Sequence, residues 1–476
     1  MRTDCDVIIA GNGVLALSTA LGLAKEGPEL KVAVAGPAAR PGSASLAAGA
    51  MLASFAEIEK GALDGIYSKA KFEMSRAAAQ LWPEWIESVN ATAGKKLVAL
   101  NLGTYLIHNA KADELDDENY AAVLDALSRY QEPHAEIDPA AVPGLAPAAD
   151  SRSLRAIHIP NEGYVNSKDL AIALGDALAR SKSIELIDDV AAAIRILDGG
   201  TKELQLGSGR KLSARKLLIA CGAKSQELID QIPTLRDRIP RLVYGVGAGI
   251  VIKTEGYAPP KVIRTLNRGL ACGIHLVPYN KDVCYIGASN FISPVPEYHP
   301  RTTSLFLLMQ GAMEQLNKRF YKAQVVETRV GFRPTTIDTF PLIGETSIKD
   351  LWILSGTKRD GIHLSPLLAR SMAKQMLGGK GLFQNHFSPE RSLLHSLTRE
   401  EGIQKAVKHL KSAAIQHELR LPKAGWDEMV DDMLRRKVEA IYDQCGIKDF
   451  GIPPEMLDMY KYGHARAPKR SEKSAA

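Results

Sequence analysis

The chain has 476 residues, 45% of them hydrophobic and 24% charged, with a formal net charge of +6. That length exceeds one ordinary hydrophobic core, so two or three globular units are expected. The charge is spread out, without the aromatic-interleaved basic stripe of a nucleic-acid surface, and no apolar run approaches a membrane span.

The opening Met-Arg-Thr-Asp-Cys-Asp-Val carries no secretory leader and runs straight into a strand pattern. The cytoplasm is therefore the expected compartment. Five scattered cysteines (Cys5, Cys221, Cys272, Cys284 and Cys445) lack metal-ligand spacing. They read as buried small hydrophobes in a reducing compartment, and no metal site is expected.

Asp6 to Ala10 is a short apolar run suited to a buried parallel strand. An Ala- and Leu-rich helix is predicted from Val14 to Lys25, stopped by Gly27 and Pro28, and a second strand from Lys31 to Ala35. A Gly-, Ala- and Ser-rich stretch from Pro41 leads to a long helix, Ile66 to Val89. Leu97 to His108 reads as a strand pair around Gly103, and Asp113 to Tyr130 as an acidic, exposed helix. Further along, Ser167 to Ser181 is helical, followed by strands Ile184 to Ile187, Ala192 to Leu197 and Lys216 to Ala220.

From Val243 to Ala288 successive strands turn at Gly256, Asn267 and Asn280, the pattern of an antiparallel sheet. Leu305 to Phe320 is predicted helical. A buried strand at Leu351 to Leu354 and a helix at Leu367 to Leu377 then return to the first pattern. The expected class is α/β: a Rossmann-like unit built from 1–90, 150–230 and 325–390, a substrate unit from 91–149 and 231–324, and a C-terminal α-helical extension over 391–476. In that extension Ile403, Ala406, Val407, Leu410, Ala413, Ala414 and His417 share one helical face. Val430, Met433, Leu434, Val438 and Ile441 share another. Such faces pack on the chain's own body, a second copy or a partner; packing within the chain or in a homo-oligomer is expected. The basic tail Lys461, Arg466, Lys469, Arg470 and Lys473 reads as a solvated terminus.

Gly11-Asn12-Gly13-Val14-Leu15-Ala16 matches G-x-G-x-x-A between a strand and a helix. The first glycine permits the tight turn, the second lets a pyrophosphate approach the backbone, and the small sixth residue lets helix and strand pack closely. A ligand-free tight turn is the other reading of the same residues. The carboxylate expected about twenty residues on, to hold a ribose, is missing: the second strand ends at Ala35-Gly36-Pro37. Arg40 beyond it leaves a 2′-phosphate open.

Several separated motifs resemble the FAD-dependent family of glycine oxidase, D-amino-acid oxidase and sarcosine oxidase, over roughly residues 1 to 390. Ser43 to Leu52 is similar to the flavin-contacting segment of glycine oxidases, above all those of the thiazole pathway. Ala220-Cys221-Gly222-Ala223 resembles the family's A-x-G-A beside FAD, and Val190 matches a backbone contact to adenine. Gly331-Phe332-Arg333-Pro334 followed by Phe340 to Gly344 resembles G-x-R-P…P-x-I-G. Gly356 to Ile362 resembles the G-H-x-x-N-G-I loop at the flavin edge. The resemblance implies FAD contacts from Gly11, Gly13, Val14, Leu15, Ser43, Ser45, Ala48, Gly49, Met51, Val190, Cys221, Gly222, Arg333, Arg359, Asp360, Gly361 and Ile362.

It also implies that Arg333 holds a substrate carboxylate, which a planar guanidinium suits, with Arg359 as the second arginine. A structural ion pair for Arg333 and a merely solvated loop position for Arg359 are the plainer readings. His275 stands where glycine oxidase has a substrate-facing tyrosine; a hydrogen-bonded sheet histidine is the alternative. The loop has also become Gly356-Thr357-Lys358-Arg359-Asp360-Gly361, so glycine itself is not implied as substrate.

The implied activity is oxidation of the C–N bond of a small amine or amino acid: hydride passes to the flavin, water hydrolyses the imine, and O2 takes the electrons to give peroxide. A dehydrogenase with another electron acceptor and a non-catalytic scaffold are the alternatives. Thr335 to Phe340 holds no cysteine and residues 40 to 55 hold no histidine, the family's attachment points, so FAD is expected to be non-covalent. Acid or heat denaturation should accordingly release the flavin into the supernatant. Yellow colour left in the washed precipitate counts against that expectation.

Overall fold

The structure is a computed structural model that describes residues 3–270, 272–287, 289–416, 419–422 and 425–465. His417, Ala288 and the tail positions Arg466 to Lys473 lie outside the described residues.

The apolar strands Cys5–Ala10 and Val32–Ala35 pair in parallel inside an eight-stranded sheet. Its central order is Leu342–Glu345, Leu351–Ser355, Lys211–Ile219, Cys5–Ala10, Val32–Ala35, Ile184–Ile187. Period-two alternation splits each strand between two cores. Val7, Ile9, Val32 and Val34 meet helices Val14–Glu26, Ile66–Ala93, Ser167–Ala179 and Ser365–Met376. Ile8, Ala10, Ala33 and Ala35 meet the hairpin Ala191–Ile196/Lys202–Leu206 and the short helices near 225–236. Burial on both faces is why these strands read as unbroken apolar runs.

A second sheet of ten strands stands against it. Its central strand, Leu242–Lys253, pairs antiparallel with Gln324–Thr336, Val283–Gly287 and Phe291–Ser293. His275–Pro278 and Val262–Thr265 continue the sheet. Val262–Thr265 then pairs in parallel with Asn101–Asn109, so the sheet is mixed, not purely antiparallel. Ser153–Tyr164, with Ala135–Ile137 at its edge, and the two-residue strand Met51–Leu52 complete it.

Three local expectations change. Asn101–Asn109 is one strand with a bulge at Gly103 rather than a pair, because the register against Ser153–Tyr164 slips there and the chain never reverses. The helix Glu114–Arg129 is exposed on one face only; Leu115, Tyr120, Val123 and Leu127 are buried. The helix Thr302–Gly311 stops early, widens into a π-turn over Ala312–Leu316, and ends in a 3-10 turn at Lys318–Lys322. All five cysteines are free; Cys5, Cys272 and Cys284 are buried, but Cys221 and Cys445 are only half-buried. No helix among the described residues is long and apolar enough to cross a membrane.

The C-terminal extension packs on its own chain. Helices Arg399–Gln416 and Trp426–Cys445 bury Ile403, Ala406, Val438, Ile441 and Tyr442 against Val243 and Ile337 of the body. Met433, predicted on the packing face, is 56% exposed. The first half of the second helix is held to the first by Lys411 with Asp427 and Asp431 and by Arg435 with Glu400, rather than by apolar burial. Where the extension leaves the body, Arg391 and Asp338 form an ion pair at 3.0 Å with almost no exposed side-chain surface. Ending the chain after Arg391 should uncover Val243 and Ile337 and lower both melting temperature and soluble yield. Unchanged mass, melting temperature and activity would make the extension dispensable.

Candidate active site

An elongated cavity runs between the two sheets, and all eighteen residues singled out from the sequence line it. At one end lies the glycine turn. Gly11 has φ +117°, and a Cβ there would sit 2.3 Å from the Ala220 carbonyl oxygen, so only glycine lets the two strand ends close up. Gly13 caps helix Val14–Glu26 with no side-chain bond, and the first turn holds no acid. The helix end thus presents free N–H groups and a partial positive charge to the cavity. Val14 is the exception: its N–H donates to Ser45 Oγ at 3.1 Å. Ser43 caps the next short helix by accepting from Leu46.

Arg40 also lines the cavity, and its buried Nε has no partner. Burial holds its guanidinium below the usual arginine range. A cation of this kind beside a helix N-terminus fits an anionic dinucleotide. It occupies the region where a ribose carboxylate is missing. Val190 sits at the same end; its N–H is taken by Asp189 and its carbonyl already accepts from Gly207, which leaves one carbonyl lone pair.

Midway, the small-residue segment makes sense as a wall with no space behind it. Ala47 lies against Gly331, and a Cβ on Gly49 would come within 3.0 Å of the Tyr285 ring and 3.3 Å of His275 Nε2. Tyr285 donates to the Ala47 carbonyl at 3.0 Å. Cys221, Gly222, Ala48 and Met51 line the same stretch.

At the far end Arg333, His275 and Arg359 line the cavity together. Arg333 Nη1 donates to the Ser289 carbonyl (3.0 Å) and Asn290 Oδ1 (3.1 Å), and no carboxylate pairs with it among the described residues. The structural ion pair is therefore not its role. Lys358 N–H donates to the Pro334 carbonyl at 2.8 Å, which ties the 356–362 loop to the strand that carries Arg333. That loop presents Arg359, Asp360, Gly361 and Ile362 to the cavity. Asp360 is held by Lys71 at 2.7 Å.

His275 is both a sheet histidine and a cavity residue. Its Nδ1 lies 3.2 Å from the Gly273 carbonyl and must donate to it. Burial, then the neighbouring Arg264 guanidinium, push it down to about 4. The ring is therefore neutral at pH 7, with Nε2 an acceptor.

Sequence reading missed a charge cluster behind it. Arg264, fully buried and opposite His275 in the sheet, grips Glu57, and Arg359 lies 3.6 Å from the same carboxylate. Burial works against ionisation of Glu57, but the two guanidiniums hold it at about 2. Glu162, equally unannounced, accepts the N–H groups of Ser54 and Phe55 at 2.6 and 2.5 Å and fixes the turn after the small-residue segment. No short motif marks Glu57, Arg264 or Glu162; their only signal is burial, which emerges from contacts more than a hundred residues apart.

A doubly covered parallel sheet, a glycine turn at a helix N-terminus and a cavity that joins them to a second sheet define a dinucleotide-binding flavoprotein. The chain belongs to the FAD dependent oxidoreductase (DAO) family, whose pattern matches residues 6–375. It is 26% identical over 376 residues to the bifunctional protein ThiO/ThiG of Trichormus variabilis, covering 77% of this chain and 52% of that protein. It is 25% identical to the glycine oxidase of Pseudomonas aeruginosa, covering 78% and 94%. The chain thus spans about half the length of the ThiO/ThiG relatives it matches. Among solved structures, glycine oxidase from Geobacillus kaustophilus superposes with a TM-score of 0.70 at 23% identity, covering 82% of this chain and 99% of that one. Iminodiacetate oxidase from Chelativorans sp. BNC1 gives 0.67 at 21%, covering 80% and 98%.

The cofactor is FAD, and the cavity tests its own assignment. A Cβ at Gly13 would meet only Ser45 Oγ, at 3.7 Å, so the apoprotein has room for a side chain there. Gly13→Glu should therefore fold, yet lose FAD, because its carboxylate would fill and repel the pyrophosphate position. Full flavin content in the purified variant would refute the placement.

Proposed function

We propose that the chain oxidises the C–N bond of an amine or amino acid, with O2 as electron acceptor, in the cytoplasm, where five free cysteines stay reduced. The observation that carries this reading is Arg333: a guanidinium facing the cavity, bonded only to neutral oxygens. A substrate carboxylate supplies the missing anion through two parallel charge-assisted bonds. The names of the relatives, glycine oxidase and ThiO/ThiG, support the same class.

The eighteen cavity residues divide by position. Gly11, Gly13, Val14, Leu15 and Val190 hold the dinucleotide end of FAD. Ser43, Ser45, Ala48, Gly49, Met51, Cys221, Gly222, Asp360, Gly361 and Ile362 flank its ring, and Arg333, Arg359 and His275 face the substrate. The first sheet with its helices would be the FAD-binding body, and the second sheet the substrate wall. Bound FAD supplies a two-electron acceptor.

The protein's own groups orient and desolvate. Arg333 anchors the carboxylate and so sets which hydrogen of the substrate carbon faces the ring. His275, neutral, offers Nε2 as an acceptor to the substrate amine. It cannot also donate from that nitrogen, because its one ring proton is committed to the Gly273 carbonyl. Tyr285 is pushed well above the ordinary tyrosine range by burial and stays protonated. No ionised side chain is required as base if the amine binds neutral.

Arg333→Ala should raise KM and lower kcat/KM at least about tenfold, since a charge-assisted bond is worth about 1.5–3 kcal/mol. Flavin content should be unchanged. An unaltered KM with lost folding would make Arg333 structural. Peroxide release on mixing with substrate checks the acceptor.

A further inference from the structure

The strand Val32–Ala35 runs into Gly36 and Pro37, where a dinucleotide fold usually carries the acid that accepts an adenosine ribose hydroxyl. Gly36 is not among the glycines with positive φ, so its backbone would admit a side chain. What keeps one out is Asn12. A Cβ on Gly36 would stand 2.4 Å from Asn12 Cγ, 2.7 Å from its Oδ1 and 2.8 Å from its Cβ. The middle residue of the glycine turn thus fills the space that an acid at position 36 would use.

The Asn12 amide has a fixed orientation. Its Nδ2 donates to the Pro37 carbonyl at 2.9 Å, an oxygen that can only accept, so Oδ1 is turned away from it. The Arg40 N–H donates to the same carbonyl at 3.0 Å and closes the turn that carries it. No described residue donates to Asn12 Oδ1. Asn12, Gly36, Pro37 and Arg40 line the dinucleotide end of the cavity together. An unused acceptor therefore stands at the end of the second strand, where a ribose would otherwise find none.

The other acids do not serve this end. Among the described residues those that line the cavity are Glu57, Glu227 and Asp360. Glu57 and Asp360 belong to the far end and are held by Arg264 and Lys71. Glu227 follows strand Lys211–Ile219, which lies on the side of Cys5–Ala10 away from Val32–Ala35, and it accepts the Tyr244 hydroxyl at 3.0 Å. Asp188 and Asp189 do not line the cavity and accept the N–H groups of Ala38 and Val190. Arg40 has donors alone and suits a phosphate.

We infer that Asn12 replaces the missing acid: its Oδ1 accepts a hydroxyl of the adenosine ribose of FAD, and Gly36 is the residue that makes room for it. This rests on the placement of the dinucleotide end given above. The acceptor has moved from the second strand to the glycine turn itself and has become neutral.

The test equilibrates the holoenzyme with equal concentrations of FAD and an FAD analogue whose adenosine is 2′-deoxy or 3′-deoxy. The flavin retained after gel filtration is then analysed by chromatography. The unaltered protein should prefer FAD to at least one analogue by about fivefold, the size of one net hydrogen bond. Asn12→Ala and Asn12→Gly should each retain FAD and that analogue alike, with melting temperature as the folding control. Asn12→Gly combined with Gly36→Glu, which rebuilds the usual arrangement, should regain the preference. An unaltered protein indifferent to both hydroxyls, or Asn12 variants that keep the preference, overturns the assignment. Full flavin content in Gly13→Glu instead overturns the dinucleotide placement beneath it.

Discussion

The ten residues from Ser43 to Leu52 hold the two halves of the molecule together, and the cavity exists because of how they do it. Ser45 reaches the first half by accepting the N–H at the start of helix Val14–Glu26. Ser43 bridges Phe332 of the second half, and Met51–Leu52 enters the second sheet as a strand. Between these anchor points the chain is squeezed: Gly331 against Ala47 on one side, Tyr285 against Gly49 on the other. A larger side chain at Ala47 or Gly49 would push the sheets apart or fill the space for a planar ring. The small residues are therefore a packing requirement as much as a binding surface.

The seam also explains why so much charge is buried nearby. The chain leaves it through a turn whose N–H groups converge on the Glu162 carboxylate, and then delivers Glu57 to Arg264. Burial opposes ionisation of both acids, yet Glu57 is kept as an anion by two guanidiniums while burial outweighs the backbone bonds at Glu162 and raises it to about 7. Two carboxylates a few residues apart in space thus answer to opposite terms. Burial above all keeps His275 neutral, and the same Arg264 that stabilises Glu57 adds to it, although Arg264 does not line the cavity itself.

Much of this was legible in the residues alone. The apolar runs at 6–10, 31–35 and 351–354 became parallel strands, because a strand covered on both faces has no polar positions to disguise it. The glycine turn was legible because its chemistry is local: two strand ends, a helix start and a phosphate meet within six residues. The motif-bearing positions from Ser43 to Ile362 were named by resemblance, and the fold brings them to one cavity. Where the reading slipped, a distant contact overrode a local cue. Gly103 resembles a hairpin turn in isolation but is a bulge against Ser153–Tyr164. The acidic helix Glu114–Arg129 hides a buried stripe that only the second sheet and its neighbours define.

Sequence by itself determined the strand and helix periods and the dinucleotide turn, since each depends on chemistry within a few neighbouring positions; Arg333 was nominated by the resemblance of Gly331 to Pro334 to a family motif. Tertiary structure alone decided that Arg333 has no acid of its own among the described residues, that Glu57 serves two arginines, and that the extension brings Glu455 to Lys358 and Lys405 to Glu59. Those facts are sums over charges and surfaces brought together from segments one to four hundred residues apart. Whether a buried charge is satisfied depends on every group that packs around it, and no local pattern records that neighbourhood.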